Sequence, residues 1–444
     1  MRERLKSFFG GTLHKEERQK FFLLAFIFSI VIGVYWLLRP LKDGVFLTMV
    51  GTRYLPWAKM LSVVCVIGVI MVYTKLVDCF ARHIVLYILS IFFAVTALIF
   101  GLLVMDPTIG IANGVANPAR LLGWAFYLYV DSFGIIMAAL FWAFVADTTT
   151  PDSAKRGYSV IVMGAQMGAV CLPLISKCII PTYGTGYAIL FGVSILSFLP
   201  FAVFYYLQHV SRFQMEGFKP HIKTPLEGKP EKKTGFLEGV RLLFSNPYVL
   251  GIFAMVSSYE VVNALLDFQF KALARASYTG NDLSGFLNDF AIITNFIALA
   301  CVVFGIDRIG RNLGFTRTLL LLPFLVGLSV IGMHAYSLLP VAFVIMAVQK
   351  SFNYSLNQPI KEQLYIPTTK DTKYKAKAWI DMFGSRLSKG GASVVNATQE
   401  FLGAQGFITV SMLISFGLIG IWMMAALFVG KVHAQALRED RVVC

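Results

Sequence analysis

Charge is what this sequence has least of. Only 14% of its 444 residues are Asp, Glu, Lys or Arg, while 57% are hydrophobic, against roughly a quarter charged in an average soluble protein. That deficit excludes an ordinary cytosolic enzyme. Histidine and cysteine are scarce as well, with six of each. The cysteines (Cys65, Cys79, Cys171, Cys178, Cys301 and Cys444) are scattered, form no CxxC and have no histidine at ligand spacing. They read as small residues of an apolar interior, and neither a zinc site nor a disulfide framework is expected. The histidines form no cluster, and no grouping of Ser, His and Asp suggests catalysis on a solute, so neither a cofactor nor an enzyme is predicted. A cleavable signal peptide is missing too. Residues 1–20 are basic and hydrophilic, and the apolar stretch after them is long and lacks a small-residue cleavage site, so it reads as a retained first span.

Long apolar runs are what the chain has in abundance. Its mean hydropathy is +0.70, concentrated in segments at 21–38, 57–74, 84–105, 121–145, 158–180, 187–207, 247–266, 285–305, 314–334, 336–358, 378–402 and 405–430. A helix rises about 1.5 Å per residue, so each segment is long enough for a hydrocarbon core of about 30 Å. The reading is an all-α, multi-pass membrane protein of twelve transmembrane helices. The formal charge of +15 would suggest nucleic acid in a soluble protein, but here the cations gather in alternate connections, so no nucleic-acid partner is expected and the lipid bilayer is. Of the 39 Lys and Arg, 28 fall on the side of the two termini. Arg39, Lys42, Arg53, Lys59, Arg120, Lys271 and Arg275 fall opposite. By the positive-inside rule both termini are expected to be cytoplasmic, in the cell (inner) membrane or an equivalent organelle membrane.

The longest connection, 208–245, is rich in Lys, Gly and Pro and crosses the midpoint of the chain. It divides the sequence into a six-helix half at 1–207 and a second at 246–444, the plan of a carrier built from two repeats related by an axis along the membrane normal. The connection after the eighth span reads Asp307-Arg308-Ile309-Gly310-Arg311, and its equivalent after the second reads Asp78-Cys79-Phe80-Ala81-Arg82. Such a loop resembles the short cytoplasmic signature of the major facilitator superfamily, which implies a central cavity lined by spans 1, 4, 7 and 10 and flanked by 2, 5, 8 and 11.

Ionisable residues inside spans are costly and mark functional positions by default. The candidates singled out here are Lys42, Asp131, Lys177, Glu260, Lys350, Arg386 and Lys389, all in or at the end of the lining and flanking spans. Asp131, Glu260 and Lys389 fall about halfway across by helix rise, whereas Lys42 is placed at the outer end of the first span, where Pro40 is expected to break the helix. Five cations against two anions suit an anionic solute. Lys177, near the end of its span, reads as a snorkelling cation. Lys350 opens a polar stretch, Gln349 to Gln358, that either lines a pathway or joins helices. Gly164 and Gly168 have the small-xxx-small spacing of helix packing. The segment from Gly384 to Gly390 lacks the glycine and leading strand of a phosphate loop.

Several segments, taken together, resemble the ATP/ADP translocase family of plastids and obligate intracellular bacteria. They are Leu38-Arg39-Pro40-Leu41-Lys42-Asp43, the stretch Gly51 to Pro56 with Val72 to Leu76, Leu140 to Asp147 followed by Asp152 to Arg156, and Lys361 to Pro367 through Lys377 to Asp381 and on to Lys389. The resemblance implies a nucleotide substrate, ATP and ADP, and carries substrate-binding roles to Lys42, Asp131, Glu260 and Lys389. Arg39, Lys350 and Arg386 complete the expected set. The chain departs from the family in having Asp at the span-four position where Glu is commoner, and in its sequence after Phe144. The implied function is a membrane carrier exchanging ATP for ADP by alternating access; the alternative is a proton-coupled symporter of a nucleotide or other anionic solute, with Asp131 or Glu260 taking the proton.

Overall fold

A computed structural model describes residues 15–149, 151–210, 243–304, 314–365, 367–368, 376–439 and 443. The Asp307–Arg311 loop, nearly all of the 208–245 connection, and Lys370, Lys373 and Lys375 of the tenth connection lie outside the described residues. Among the described residues there is no strand, and the helical segments group into twelve rods. An apolar layer offers no water to backbone N–H and C=O groups, so a chain this hydrophobic must satisfy them internally, as helices do. The rods are α1 (Lys15–Met49), α2 (Leu55–Cys79), α3 (Arg82–Met105), α4 (Leu121–Thr148), α5 (Pro151–Tyr183), α6 (Thr185–His209), α7 (Pro247–Ser277), α8 (Gly280–Phe304), α9 (Phe315–Ala335), α10 (339–364), α11 (377–397) and α12 (Gln399–Arg438).

Ten of these are long and apolar enough to cross a membrane. The other two, α10 and α11, coincide with the tenth and eleventh predicted spans but are interrupted by π-helical turns at Asn353–Asn357 and Ile380–Gly384. In α10 the wide turn comes just before Pro359, which has no N–H to give to the regular ladder. The Asn357 amide spans the turn instead, donating to Asn353 Oδ1 at 2.9 Å. Two sequence expectations need correction. The first helix does not stop at Pro40 but runs on to Met49. Proline there forfeits one backbone bond, and a helix packed among neighbours tolerates that loss. The seventh continues past 266 to Ser277, because charged residues lower hydropathy without breaking a helix.

By packing, the chain divides into two compact units. One holds Met1–Gly51, Val64–Pro225 and Tyr278–Asn295, and the other holds Thr52–Val63, Leu226–Ser277 and Phe296–Cys444. In the first unit α1 lies directly against α5. A Cβ on Gly164 would stand 2.5 Å from the carbonyl oxygen of Ala25, and one on Gly168 would overlap the Ser29 carbonyl, so the two glycines let backbone meet backbone. Phe28 stacks on Phe141 with ring centres 4.2 Å apart, joining α1 to α4. In the second unit Ala264 and Leu265 of α7 bury against Ala392 of α11, and Tyr259 meets Trp422 of α12 edge to face at 5.8 Å.

Replacing Gly168 by Val is therefore expected to cost about 1–3 kcal/mol through overpacking, visible as a lowered unfolding midpoint of the purified protein in detergent. Gly417, whose added Cβ would meet nothing within 4 Å, serves as the control: Gly417→Ala should leave the midpoint unchanged or slightly raised, since alanine is the better helix former.

Candidate functional site

In the first unit, α1 and α4 bring two of the expected residues together. The Nζ of Lys42 donates to Asp131 Oδ1 at 2.6 Å and sits 4.1 Å from the centre of the Tyr127 ring. Tyr127 and Asp131 are four apart on α4, so one helix face presents a carboxylate and a π-face to the same ammonium group. Lys42 is buried and Asp131 largely so. Arg39, one turn earlier on α1, lays its guanidinium over Trp36, 4.9 Å from the ring centre, and Asp43 is buried beside Lys42 in sequence.

The second unit holds two clusters, both built on α7. Glu260 accepts from Ser385 Oγ at 3.0 Å and pairs with Lys389 at 3.3 Å. Ser385 and Lys389 are one turn apart on α11, so they share the face turned to α7. The Lys389 side chain keeps 47% of its surface exposed whereas Glu260 keeps 16%. Arg386, on the same helical turn, is half-buried.

Two turns further along α7, Asp267 gathers three lysines. Its Oδ1 accepts from Lys350 at 2.6 Å, and its Oδ2 pairs with Lys271 at 2.8 Å and Lys59 at 3.3 Å. Lys350 belonged to the expected set; Asp267, Lys59 and Lys271 did not. Lys59 had been counted with the side opposite the termini although the 57–74 run contains it, and Lys271 had been placed in a connection; both lie within helices. The one available signal was the i, i+4 spacing of Asp267 and Lys271, which continues the helical period beyond the apolar run. Glu260, Asn263, Asp267 and Lys271 recur at three- and four-residue intervals, so they form one stripe along α7. The Oδ1 of Asn263, within this stripe, and both side-chain polar atoms of Gln349, next to Lys350 in sequence, are buried without a partner. A buried orphan of this kind costs about 1–3 kcal/mol.

Other charges take structural positions. Lys177 is exposed and pairs with Asp289 at 3.1 Å. Arg82 joins the start of α3 to the end of α4 through Asp147 and the Ala143 carbonyl. Lys361 pairs with Asp381 at 2.8 Å, and Lys377 with Glu362. No group of three or more His, Cys, Asp or Glu that could hold a metal occurs among the described residues.

The solved structures this fold resembles include transporters. A bacterial homologue of the iron transporter ferroportin in an inward-facing state superposes with a TM-score of 0.62 at 10% identity, covering 91% of this chain and 97% of that one. A POT family transporter in complex with 5-aminolevulinic acid superposes at 0.60 and 11% identity, covering 92% and 96%. At such identities the likeness shows the fold alone, a major-facilitator-like arrangement of helices. The family profile described as TLC ATP/ADP transporter matches residues 3–116 and 119–433, and the chain belongs to that family. Known relatives include ADP,ATP carrier protein 1 of Rickettsia bellii, 25% identical over 93% of both chains. ADP,ATP carrier protein 1 of Chlamydia pneumoniae is 26% identical over 99% of this chain and 96% of its own. The chloroplastic ADP,ATP carrier protein 2 of Arabidopsis thaliana is 26% identical over 91% and 73%.

The Lys42 and Asp131 pair can be measured directly by a double-mutant cycle. Lys42→Gln and Asp131→Asn should each lower the unfolding midpoint, because each strands the opposite charge, and the double variant should recover part of the loss. A coupling of about 0.5–3 kcal/mol is expected for groups in contact; strict additivity would show that the pair does not act as a unit.

Proposed function

We propose that this chain exchanges ATP for ADP across its membrane by alternating access, with Lys42 and Lys389 as phosphate contacts and Asp131 and Glu260 as the carboxylates that hold those lysines when no nucleotide does. Arg39, Lys350 and Arg386 contribute further positive charge along the pathway. The observation that carries this reading is the pairing of each expected lysine with an expected carboxylate, Lys42 with Asp131 and Lys389 with Glu260, in a chain of the TLC ATP/ADP transporter family. An ammonium group already held by a carboxylate is a preformed oxyanion partner: a phosphate oxygen replaces the carboxylate oxygen at the same donor, in a charge-assisted bond. We also infer that both termini face the cytoplasm, in an inner or equivalent membrane. Arg39, Lys42, Lys59 and Lys271 lie within helices, so the connections opposite the termini hold even fewer cations than the sequence count gave them.

Purified protein in liposomes should take up labelled ATP when the lumen holds ADP and take up little when it is empty. Lys42→Ala and Lys389→Ala should each lower this exchange at least tenfold while the protein remains folded. Lys389→Arg should restore only part of it, because a planar fork and a point charge hold phosphate differently. Lys177→Gln should exchange as the wild type does. Equal uptake into empty and loaded vesicles would make the chain a uniporter, and uptake only under an imposed proton gradient would make it a symporter.

A further inference from the structure

The Asp267 cluster has more cation than a packing ion pair needs. Lys59 of α2, Lys271 of α7 and Lys350 of α10 converge on one carboxylate at 3.3, 2.8 and 2.6 Å, with all four side chains at least four-fifths buried. The four carry a formal +2, in a layer where charge is expensive and where one lysine would balance one aspartate. Gln349, adjacent to Lys350 in sequence, has both side-chain polar atoms buried without a protein partner, as has the Oδ1 of Asn263, one turn before Asp267 on α7. The π-helical turn beginning at Asn353, three residues after Lys350, is of a kind that recurs at functional sites. Asp267 also lies seven residues beyond Glu260 on the same stripe of α7, about 10 Å along the axis at about 1.5 Å per residue.

We propose that Lys59, Lys271 and Lys350 form an anion subsite that takes a phosphoryl group, and that Asp267 is its internal counter-ion. The two carboxylate oxygens hold the three ammonium groups together until phosphate oxygens take their place. Three rotatable point donors around one centre suit a tetrahedral oxyanion, whose oxygens point in separate directions, better than they suit a planar carboxylate, which must share one oxygen between two lysines. Three ammonium groups to one carboxylate favour an anion as the cluster's further ligand. This inference rests on the nucleotide reading above for its substrate, and assigns one end of that substrate to the far part of α7.

The test uses the purified full chain at constant ionic strength, with inorganic pyrophosphate as the probe and the unfolding midpoint as the readout. The wild type should be stabilised saturably. Lys271→Gln and Lys350→Gln should raise the half-saturating concentration at least tenfold, and Asp267→Asn should lower it several-fold, because the competing anion is gone. A purely structural network predicts the reverse for Asp267→Asn, a lowered midpoint with no tightening. If the glutamine variants do not fold, Lys271→Arg and Asp267→Glu keep every charge and should still shift half-saturation about threefold or more. Half-saturation equal to wild type in these variants, or a wild type that does not respond to pyrophosphate, overturns the subsite. Exchange that proceeds normally alongside such a result leaves the nucleotide reading intact. Absent exchange with pyrophosphate binding that depends on Lys271 and Lys350 overturns that reading and leaves the subsite.

Discussion

A cation held inside an apolar layer needs an anion within reach, and this requirement organises the chain. Transfer of an isolated ammonium group out of water is prohibitive, whereas a paired and hydrogen-bonded one is tolerable. Lys42 therefore reaches Asp131, Lys389 reaches Glu260, and Lys59, Lys271 and Lys350 share Asp267. Each pair names the helices that must lie side by side: α1 with α4, α7 with α11, and α7 with α10 and the first turns of α2. In a lipid-like interior apolar side chains give little preference for one neighbour over another. Charge pairs and close glycine contacts such as that of Gly168 with Ser29 supply the preference.

The backbone shows where these demands compete with regular helix. The π-helical turns at Asn353–Asn357 and Ile380–Gly384 fall in α10 and α11, the rods that carry Lys350, Arg386 and Lys389. A π turn inserts one extra residue and rotates everything after it, so it re-aims side chains without breaking the rod. The Ile380–Gly384 turn immediately precedes Ser385, which bonds Glu260. Asp381, within that turn, accepts from Lys361 at 2.8 Å. Irregular backbone at this depth is tolerated where protein surrounds it or where it lines a wet path.

Much of this was legible in the sequence, and the omissions share a cause. Composition and apolar runs specify a multi-pass helical protein, and the cost of buried charge singles out Lys42, Asp131, Lys177, Glu260, Lys350, Arg386 and Lys389 before any contact is known, of which the family resemblance selects Lys42, Asp131, Glu260 and Lys389. Hydropathy reads position by position, however, and charged residues end its runs. Asp267 and Lys271 were cut from the seventh span for the very property that matters about them, and Lys59, although inside the 57–74 run, was counted with the connection before it. A helical period carried through the charged residues, Glu260 to Asn263 to Asp267 to Lys271, would have kept them. Pro40 misled in the opposite direction, since a local rule about one backbone bond was applied where neighbouring helices override it. Which carboxylate meets which lysine is set by packing between distant segments, and no spacing in a single chain encodes it.

Pairing also changes what the empty carrier is. From sequence alone, an excess of lysine over acid implies a site strained by repulsion until phosphate arrives. In the structure Lys42 and Lys389 each rest against a carboxylate, so under the proposed site assignment these lysines are already paired in the empty carrier and a nucleotide competes with built-in anions. Affinity is then a difference between two sets of ion pairs, which keeps binding weak enough for release, and the carboxylate's return to its lysine helps to expel the product. The same exchange of partners keeps the protein's own charge constant through the cycle, so any net charge moved belongs to the solutes. Under the proposed exchange, ATP carries about one more negative charge than ADP, and a membrane potential biases a single moved charge by about 2.3 kcal/mol per 100 mV. The direction of exchange is then governed by the nucleotide gradients and the potential together, with the protein supplying only the path.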